Sequence, residues 1–536
     1  MPNSKVIAMY DVRGIQDYIF RTSKMKDAIG ASAIIEEIVE SSMEYACDNI
    51  GGISYSLDWY DSNGAIPYED ADNDVQVLYI GGGNAFVQYS SRKLAVEISK
   101  RMSRFIIDKT YSLQLAIAIV DVTGNYKIDY QNLQDKMTKA KSETPVSKPL
   151  DAIPVVSVEK KTGYPITHRD GTSTESKLKQ NAADKVRQTV SLSQKQFDNY
   201  IEGKGESSML AVVHIDGNNM ALRIRNLVKD LEDYSDAINQ MRKISFHINS
   251  SYKKVMKEME TIFNKKLHQE SQETNKKKEV GEASDKWWIM RVIAAGDDIT
   301  YVCNAKIALA TVEYFCRNIS KYSMTDSTEL KYRFTACAGI AYFNSHFPFN
   351  IAYHVAEECC DNAKDRAKQE DHKYRDGDIE IVGNWVDFQF CRGVQALDLD
   401  RVRTEEYITP FGENLLRRPY YLDSPELENS NGLFAQLRNK EKISYTHFQS
   451  DMKEFVLDNN NIPRSYVKEI RNTYPLGEEQ INILNAFLKS RNRNTPDNYY
   501  YDFNGVKTAR LYDTMEVADY YQSLEDVLKE VSDEEA

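Results

Sequence analysis

Two adjacent carboxylates, Asp297 and Asp298, sit in the turn of the stretch Trp287-Trp288-Ile289-Met290-Arg291-Val292-Ile293-Ala294-Ala295-Gly296-Asp297-Asp298-Ile299-Thr300-Tyr301-Val302-Cys303. Like charges this close are costly unless a cation bridges them. A third carboxylate, Asp216, ends the apolar run 209–215 and opens an Asp216-Gly217-Asn218-Asn219 turn. If that strand lies beside the 287–303 stretch, the three carboxylates converge. Oxygen ligands converging without Cys or His suit Mg²⁺ or Mn²⁺. Two such ions suit phosphoryl transfer, one activating the attacking oxygen and one holding the leaving phosphates. The competing reading is an ordinary hairpin turn, since Asp and Gly are common turn residues.

The elements that must position these groups follow from the pattern. Apolar runs on both sides of Ala295-Gly296-Asp297-Asp298 predict a β-hairpin, with Gly296 supplying backbone freedom at the tip. Residues 4–12 predict a strand ending near Asp11, followed by a helix from about 28 to 49. Residues 76–90 predict a hairpin around Gly81-Gly82-Gly83-Asn84. A helix over 92–108, a strand over 113–122 and a polar helix carrying Lys139-Ala140-Lys141 complete the unit. Residues 209–369 repeat the order: a strand to Asp216, a helix within 233–262, the acidic hairpin, a helix over 305–321, a strand over 332–342, and a helix from about 350 carrying Ala363-Lys364. The fold class is therefore α+β, with two ferredoxin-like βαββαβ palm domains. The first palm covers 1–145 and the second 205–385. Between them lies a helical linker region, 146–204. A helical C-terminal domain, 386–536, follows. A Lys/Glu-rich insertion at 265–286 reads as a flexible loop.

The chain of 536 residues is 41% hydrophobic and 28% charged, as expected of a soluble globular protein. No apolar run of about 18 residues occurs, so no membrane span is expected, and nothing resembles a secretory leader. The seven cysteines form no C-x-x-C pair, which suits free thiols in a reducing cytoplasm better than a zinc site. A net charge of −13 argues against a broad nucleic-acid-binding face. No P-loop and no G-x-S-x-G elbow is present. His214, inside an apolar strand, reads as a core histidine. Asp11 matches Asp216 in position and reads equally as a strand-end cap. Asn218 and Asn219 read as turn-shaping residues, and Trp287 and Trp288 alternate faces, so at most one of them faces the core. For Lys364 composition alone favours a solvated helix face.

Four segments carry a resemblance: Gly14-Ile15-Gln16-Asp17-Tyr18-Ile19-Phe20 with Gly30-Ala31-Ser32-Ala33; the Gly81-Gly82-Gly83 turn; Asp216-Gly217-Asn218-Asn219-Met220; and Asp297-Asp298 with the Ala363-Lys364 helix. Together they make the chain similar to the palm-domain polymerase/cyclase subunit of type III CRISPR effector complexes, and more distantly to the GGDEF cyclases. The resemblance implies condensation of nucleoside triphosphates, usually ATP, into a cyclic di- or oligonucleotide. It implies that Asp216, Asp297 and Asp298, with the Ile215 carbonyl, hold two divalent ions, and that Lys364 contacts the triphosphate. Gly217, Asn218, Asn219, Gly296, Gly82, Gly83 and Asp11 become nucleotide-binding candidates, one nucleotide lying on each palm. CRISPR ribonucleoprotein subunits, RNA and a second copy of the chain are the implied macromolecular partners. The chain departs from that family in several places. No His-Asp dipeptide of an HD nuclease occurs, the chain starting directly at the first palm. The stretch 156–165 has no cysteines, and the acidic turn is Ala-Gly-Asp-Asp rather than Gly-Gly-Asp-Asp. A catalytically inactive palm subunit that binds nucleotide and scaffolds a complex is the competing expectation.

Overall fold

The two repeats fold into two sheets whose repeated strands have the same order. In the computed structural model, which describes residues 5–70, 72–81, 84–143, 155–189, 209–264, 288–393, 398–458, 462–503 and 505–533, the first palm comprises β1 (Val6–Arg13), α1 (Met25–Asp48), β2 (Val75–Gly81), β3 (Asn84–Tyr89), α2 (Arg92–Thr110), β4 (Gln114–Asp121) and α3 (Tyr126–Glu143). The linker contributes α4 (Thr174–Thr189). The second palm comprises β5 (Met209–Gly217), α5 (Tyr234–Phe263), β6 (Ile289–Ala295), β7 (Asp298–Asn304), α6 (Ala308–Ile319), β8 (Ala336–Asn344) and α7 (Phe349–Ala367). Within the two sheets the repeats run β2-β3-β1-β4 and β6-β7-β5-β8, the antiparallel ferredoxin-like arrangement, and in the first a short strand, Tyr55–Ser56, is added parallel to β2.

The equivalence reaches single residues. In the first hairpin the register slips at Leu78, three residues before the strand end at Gly81. In the second it slips at Val292, three before Ala295. A bulge leaves ladder groups unpaired. In the first palm Arg242 of α5 takes them up, its guanidinium donating to the carbonyls of Leu78 at 2.6 Å and Val77 at 2.8 Å. The second palm's long helix is thus bound to the first palm's hairpin, while α1 of the first palm packs on β6 of the second. Apolar residues of α5 recur at steps of three and four (Ile238, Met241, Ile244, Ile248, Tyr252, Val255, Met259), so one stripe is buried throughout.

Alternation on β5 divides its side chains. Val213 and Ile215 enter the core shared with α5 and α6. Leu210 and Val212 enter the core under α7, and His214 and Asp216 share that second face.

The second sheet is larger than the repeat predicts. β9 (Asn384–Phe390) pairs parallel with β8, and β10 (Tyr420–Leu422) pairs with β9. The boundary drawn at 385/386 from the change in composition therefore falls inside a strand. β9 escaped notice because all seven of its residues are buried and carry no alternation. The C-terminal region is mostly helical but also holds a hairpin, Tyr500–Phe503 with Val506–Ala509. The insertion expected at 265–286, Trp287, and Gly82 and Gly83 lie outside the described residues. No helix among the described residues is long and apolar enough to cross a membrane.

Candidate active site at the end of the second palm sheet

The acidic residues meet where β5, β7 and α7 end. The hairpin turn is two residues, Gly296 and Asp297, with Ala295 paired to Asp298. Gly296 has φ +68°, the sign that favours glycine at the first position of such a turn. Ile299 pairs with Ile215, so the next step along the two strands brings Asp298 opposite Asp216. Both then share the α7 face with His214 and Thr300. Asp297, one residue earlier, turns to the other side. Its Oδ2 would lie 2.8 Å from a Cβ on Gly217, and the Tyr252 hydroxyl would lie equally close to that atom. A side chain at 217 would push the Asp297 carboxylate, Met220 and the Tyr252 hydroxyl aside.

α7 brings Lys364. Tyr353, Glu357 and Lys364 recur at helical spacing on the face over β5, and Lys364 Nζ pairs with Asp216 Oδ2 at 2.5 Å and Asp361 Oδ1 at 3.3 Å. The helix can lie this close because β8 has glycine at 339. A Cβ there would stand 1.9 Å from the Ala356 carbonyl oxygen and 2.4 Å from the Cys360 nitrogen. Gly339→Ala is expected to cost about 1–3 kcal/mol or more by overpacking against backbone, read as a fall in the urea midpoint. An unchanged midpoint would show that α7 is not seated there.

Electrostatically the site is under strain from like charge. Burial, then Asp216, raises the carboxyl of Asp297 above the ordinary range. Burial, then Asp216, Asp297 and Glu357, does the same to Asp298. Asp298 is not sealed in: its side chain is 34% exposed, and the rise comes from protein packed around one of its oxygens. That oxygen, Oδ1, is buried and has no hydrogen-bond partner. His214 Nδ1 is 3.5 Å from it but is engaged with Thr300 Oγ1 at 3.1 Å. Burial lowers the His214 pKa and so favours the neutral ring. Among the described residues no three His, Cys, Asp or Glu side chains stand close enough together to hold a metal ion as arranged. The donor chemistry nevertheless fits a hard cation: carboxylates only, crowded together, one oxygen orphaned.

The other predicted residues divide. Ile215 is fully buried in the ladder. The Asn218 side chain is 4% exposed and donates to Thr335 Oγ1 and the Gly383 carbonyl, so it shapes the turn and does not face the cleft. Asn219 adopts a left-handed conformation, φ +56°, at the start of the helix Met220–Val228, and donates to the Glu380 carbonyl at 3.4 Å. Asp11 lies on the first palm, opposite Asn84 in register, and is ion-paired with Lys141 of α3. This repeats the Asp216–Lys364 pair of the second palm. Residues not singled out from sequence also border the site. Gln16 donates to Tyr353 Oη at 3.3 Å and Glu357 Oε1 at 3.1 Å, and Phe20 stacks on Tyr353 at 3.6 Å. The Gly14–Phe20 segment thus ties the first palm to α7. Helical spacing on α7 was the signal that could have found Glu357.

A ferredoxin-like sheet with an acidic hairpin turn beside an acidic strand end defines a palm domain. Residues 209–373 match the family model Cas10/Cmr2, second palm domain. No curated protein matches. Among solved structures, the chain is similar to one from the crystal structure of the Csm1-Csm4 cassette in complex with cA4 (14% identity, 96% of this chain and 70% of that one, TM-score 0.43). The apo Csm1-Csm4 cassette gives 14% identity, the same coverage and a TM-score of 0.44. Csm1 in T.onnurineus gives 14% identity, 97% and 70% coverage and a TM-score of 0.42. The assignment rests on the family match.

Proposed function

We propose that the chain is a nucleotidyl cyclase, dependent on Mg²⁺ or Mn²⁺, that condenses ATP or another nucleoside triphosphate into a cyclic di- or oligonucleotide in CRISPR-type antiviral signalling. One observation carries the reading: Asp216, Asp297 and Asp298 gather at one sheet end beside Lys364, with Asp298 Oδ1 buried and unpartnered. The three carboxylates and the Ile215 carbonyl would hold the ions, and Gly217 and Gly296 keep the turn backbones open to a nucleotide. Bound there, two divalent ions supply acidification of the attacking hydroxyl and charge neutralisation on the leaving pyrophosphate. Lys364, on leaving Asp216, is a point charge for the triphosphate. Asp11 and Lys141 would seat the second nucleotide on the first palm. Sister ribonucleoprotein subunits and RNA, or a second copy of this chain, belong to the same proposal, as does a cytoplasmic location.

The test is incubation with each nucleoside triphosphate and Mg²⁺ or Mn²⁺, with products resolved by mass spectrometry. A cyclic product from the wild type and none from Asp297→Ala/Asp298→Ala is the expected outcome. The Lys364–Asp216 ion pair favours a second reading, a palm subunit that binds nucleotide and scaffolds a complex without turnover. Cation-dependent ATP binding with no product under any activator would select it. Absence of ATP binding would remove both.

A further inference from the structure

A pocket of about 680 Å³ opens where the C-terminal end of α7 meets the C-terminal region, away from the acidic cluster. Arg366 of α7 forms one wall. Lys440 and Lys442 come from the loop between the helices Gly432–Asn439 and Tyr445–Asp451, and Phe503 from the C-terminal hairpin. Arg417 and Arg418 lie at the floor. In a chain of net charge −13 this concentration of cations calls for an account.

Two guanidinium groups point to a ligand. Arg417 is 2% exposed. Its Nε donates to Tyr420 Oη at 3.1 Å and its Nη1 to Asp451 Oδ2 at 3.0 Å, yet its Nη2 is buried without a partner. Arg366 Nε is likewise buried and unpartnered, its guanidinium lying 5.3 Å from the Phe503 ring centroid. Leaving a buried charged donor unmade is costly. The surrounding charges do not absorb it. Among the described residues Arg417 and Arg510 share Asp451, and Arg418 pairs with Asp513 and Glu516. At the rim Arg366 has no ion-pair partner among the described residues. Lys442 donates to the Asp502 carbonyl, and Lys440 stands 3.6 Å from Asp371. Asp371 and Glu441 are the lining carboxylates.

The geometry points to an anion site at this junction that takes a phosphate-bearing small molecule, of oligophosphate or nucleotide size. Guanidinium forks and mobile ammonium groups are the side chains that suit phosphate oxygens. The volume lies within the range of small-molecule sites and exceeds what a single orthophosphate fills. An inorganic oligophosphate and the phosphate tail of a nucleotide share this chemistry.

The experiment is calorimetric titration of the full chain with sodium tripolyphosphate and, separately, ATP, in excess EDTA. EDTA takes cations from the acidic cluster, and Asp297→Ala/Asp298→Ala is titrated in parallel, so cation-held binding at the proposed active site cannot supply the signal, while the rim substitutions identify any cation-free binding there. One saturable site per chain is expected in both proteins, weakened at least about tenfold in Arg366→Gln/Lys442→Gln. Tighter binding of ATP assigns a nucleotide; equal binding assigns the phosphate chain alone. Should the double variant lower Tm, Lys440→Gln on the exposed rim replaces it, with about threefold weakening expected. No saturable binding, or affinity unchanged by the rim substitutions, overturns the site.

Discussion

Asp298→Asn is expected to make the cation-free protein more heat-resistant than the wild type, indifferent to Mg²⁺, and inactive. The three effects have one cause. Asp298 shares its sheet end with Asp216 and Asp297, and burial and both neighbours raise its carboxyl. A carboxyl whose pKa is raised on folding holds its proton more tightly in the folded chain than in the unfolded one. Its ionisation therefore opposes folding at neutral pH, and the wild-type chain without cation gains stability as pH falls through the raised value toward the ordinary one. Asparagine removes that charge while keeping the shape. A divalent ion that binds only the folded chain stabilises it by mass action, so Mg²⁺ should raise the wild-type Tm and leave the variant's unchanged. Activity should fall at least about 10³-fold, since loss of a single preorganised electrostatic contact to a transition state already costs 10²–10³. Thermal shift with and without Mg²⁺, run from pH 5 to 8, reads the first two effects. A variant less stable than the wild type in EDTA would show that Asp298 is held by structural contacts and is not poised for a cation.

This charge cluster was legible in sequence because strands and turns carry local signals. Apolar runs flanking Gly296 fix a hairpin, and the like order of elements in the two repeats places Asp216 beside it. The same logic put Asp11 in register with Asp216, and the structure pairs them with equivalent lysines, Lys141 and Lys364. What escaped were interactions set by tertiary packing. His214 is a core residue as its apolar neighbours suggested, but the face it occupies is that of Asp298, which alternation alone could have shown. Asn218 belongs to the turn because β9 delivers Gly383 beneath it, and β9 itself, buried along its whole length, has no periodicity to read. The Gln16 contact with Glu357 spans 341 residues of chain, and no local pattern announces it. The basic pocket is assembled from four segments far apart in sequence, each unremarkable alone.

The largest effect on folding is expected from Arg418→Met. This side chain is fully buried. Its guanidinium donates to Asp513 Oδ1 at 3.1 Å, Glu516 Oε2 at 2.8 Å and Gln389 Oε1 at 3.1 Å, and lies 4.2 Å from the Phe388 ring centroid. Phe388 and Gln389 belong to β9 of the second palm sheet, whereas Asp513 and Glu516 lie on the helix Tyr512–Val517. The arginine is the charge between two acids that cannot reach water. Methionine fills much of the same volume, so little of the loss is cavity; most of it is the loss of the guanidinium that Asp513 and Glu516 share, Glu516 keeping Arg392 and Asp513 keeping the Tyr420 hydroxyl and two backbone N–H donors. Breaking a buried pair from one side costs about 3–5 kcal/mol, and a comparable fall in unfolding free energy is expected in urea. Because the lost contact joins β9 to the C-terminal region, the transition should also separate in two, the C-terminal helices melting first. Glu516→Gln in the Arg418→Met background should recover part of the loss, since it removes one of the two charges that shared the guanidinium while its amide still reaches Tyr407 and Arg392, the other partners of Glu516. Equal stability of Arg418→Met and the wild type would mean that Asp513 and Glu516 take up their protons at little cost, and that packing around Phe388, not charge, joins the C-terminal region to the palm.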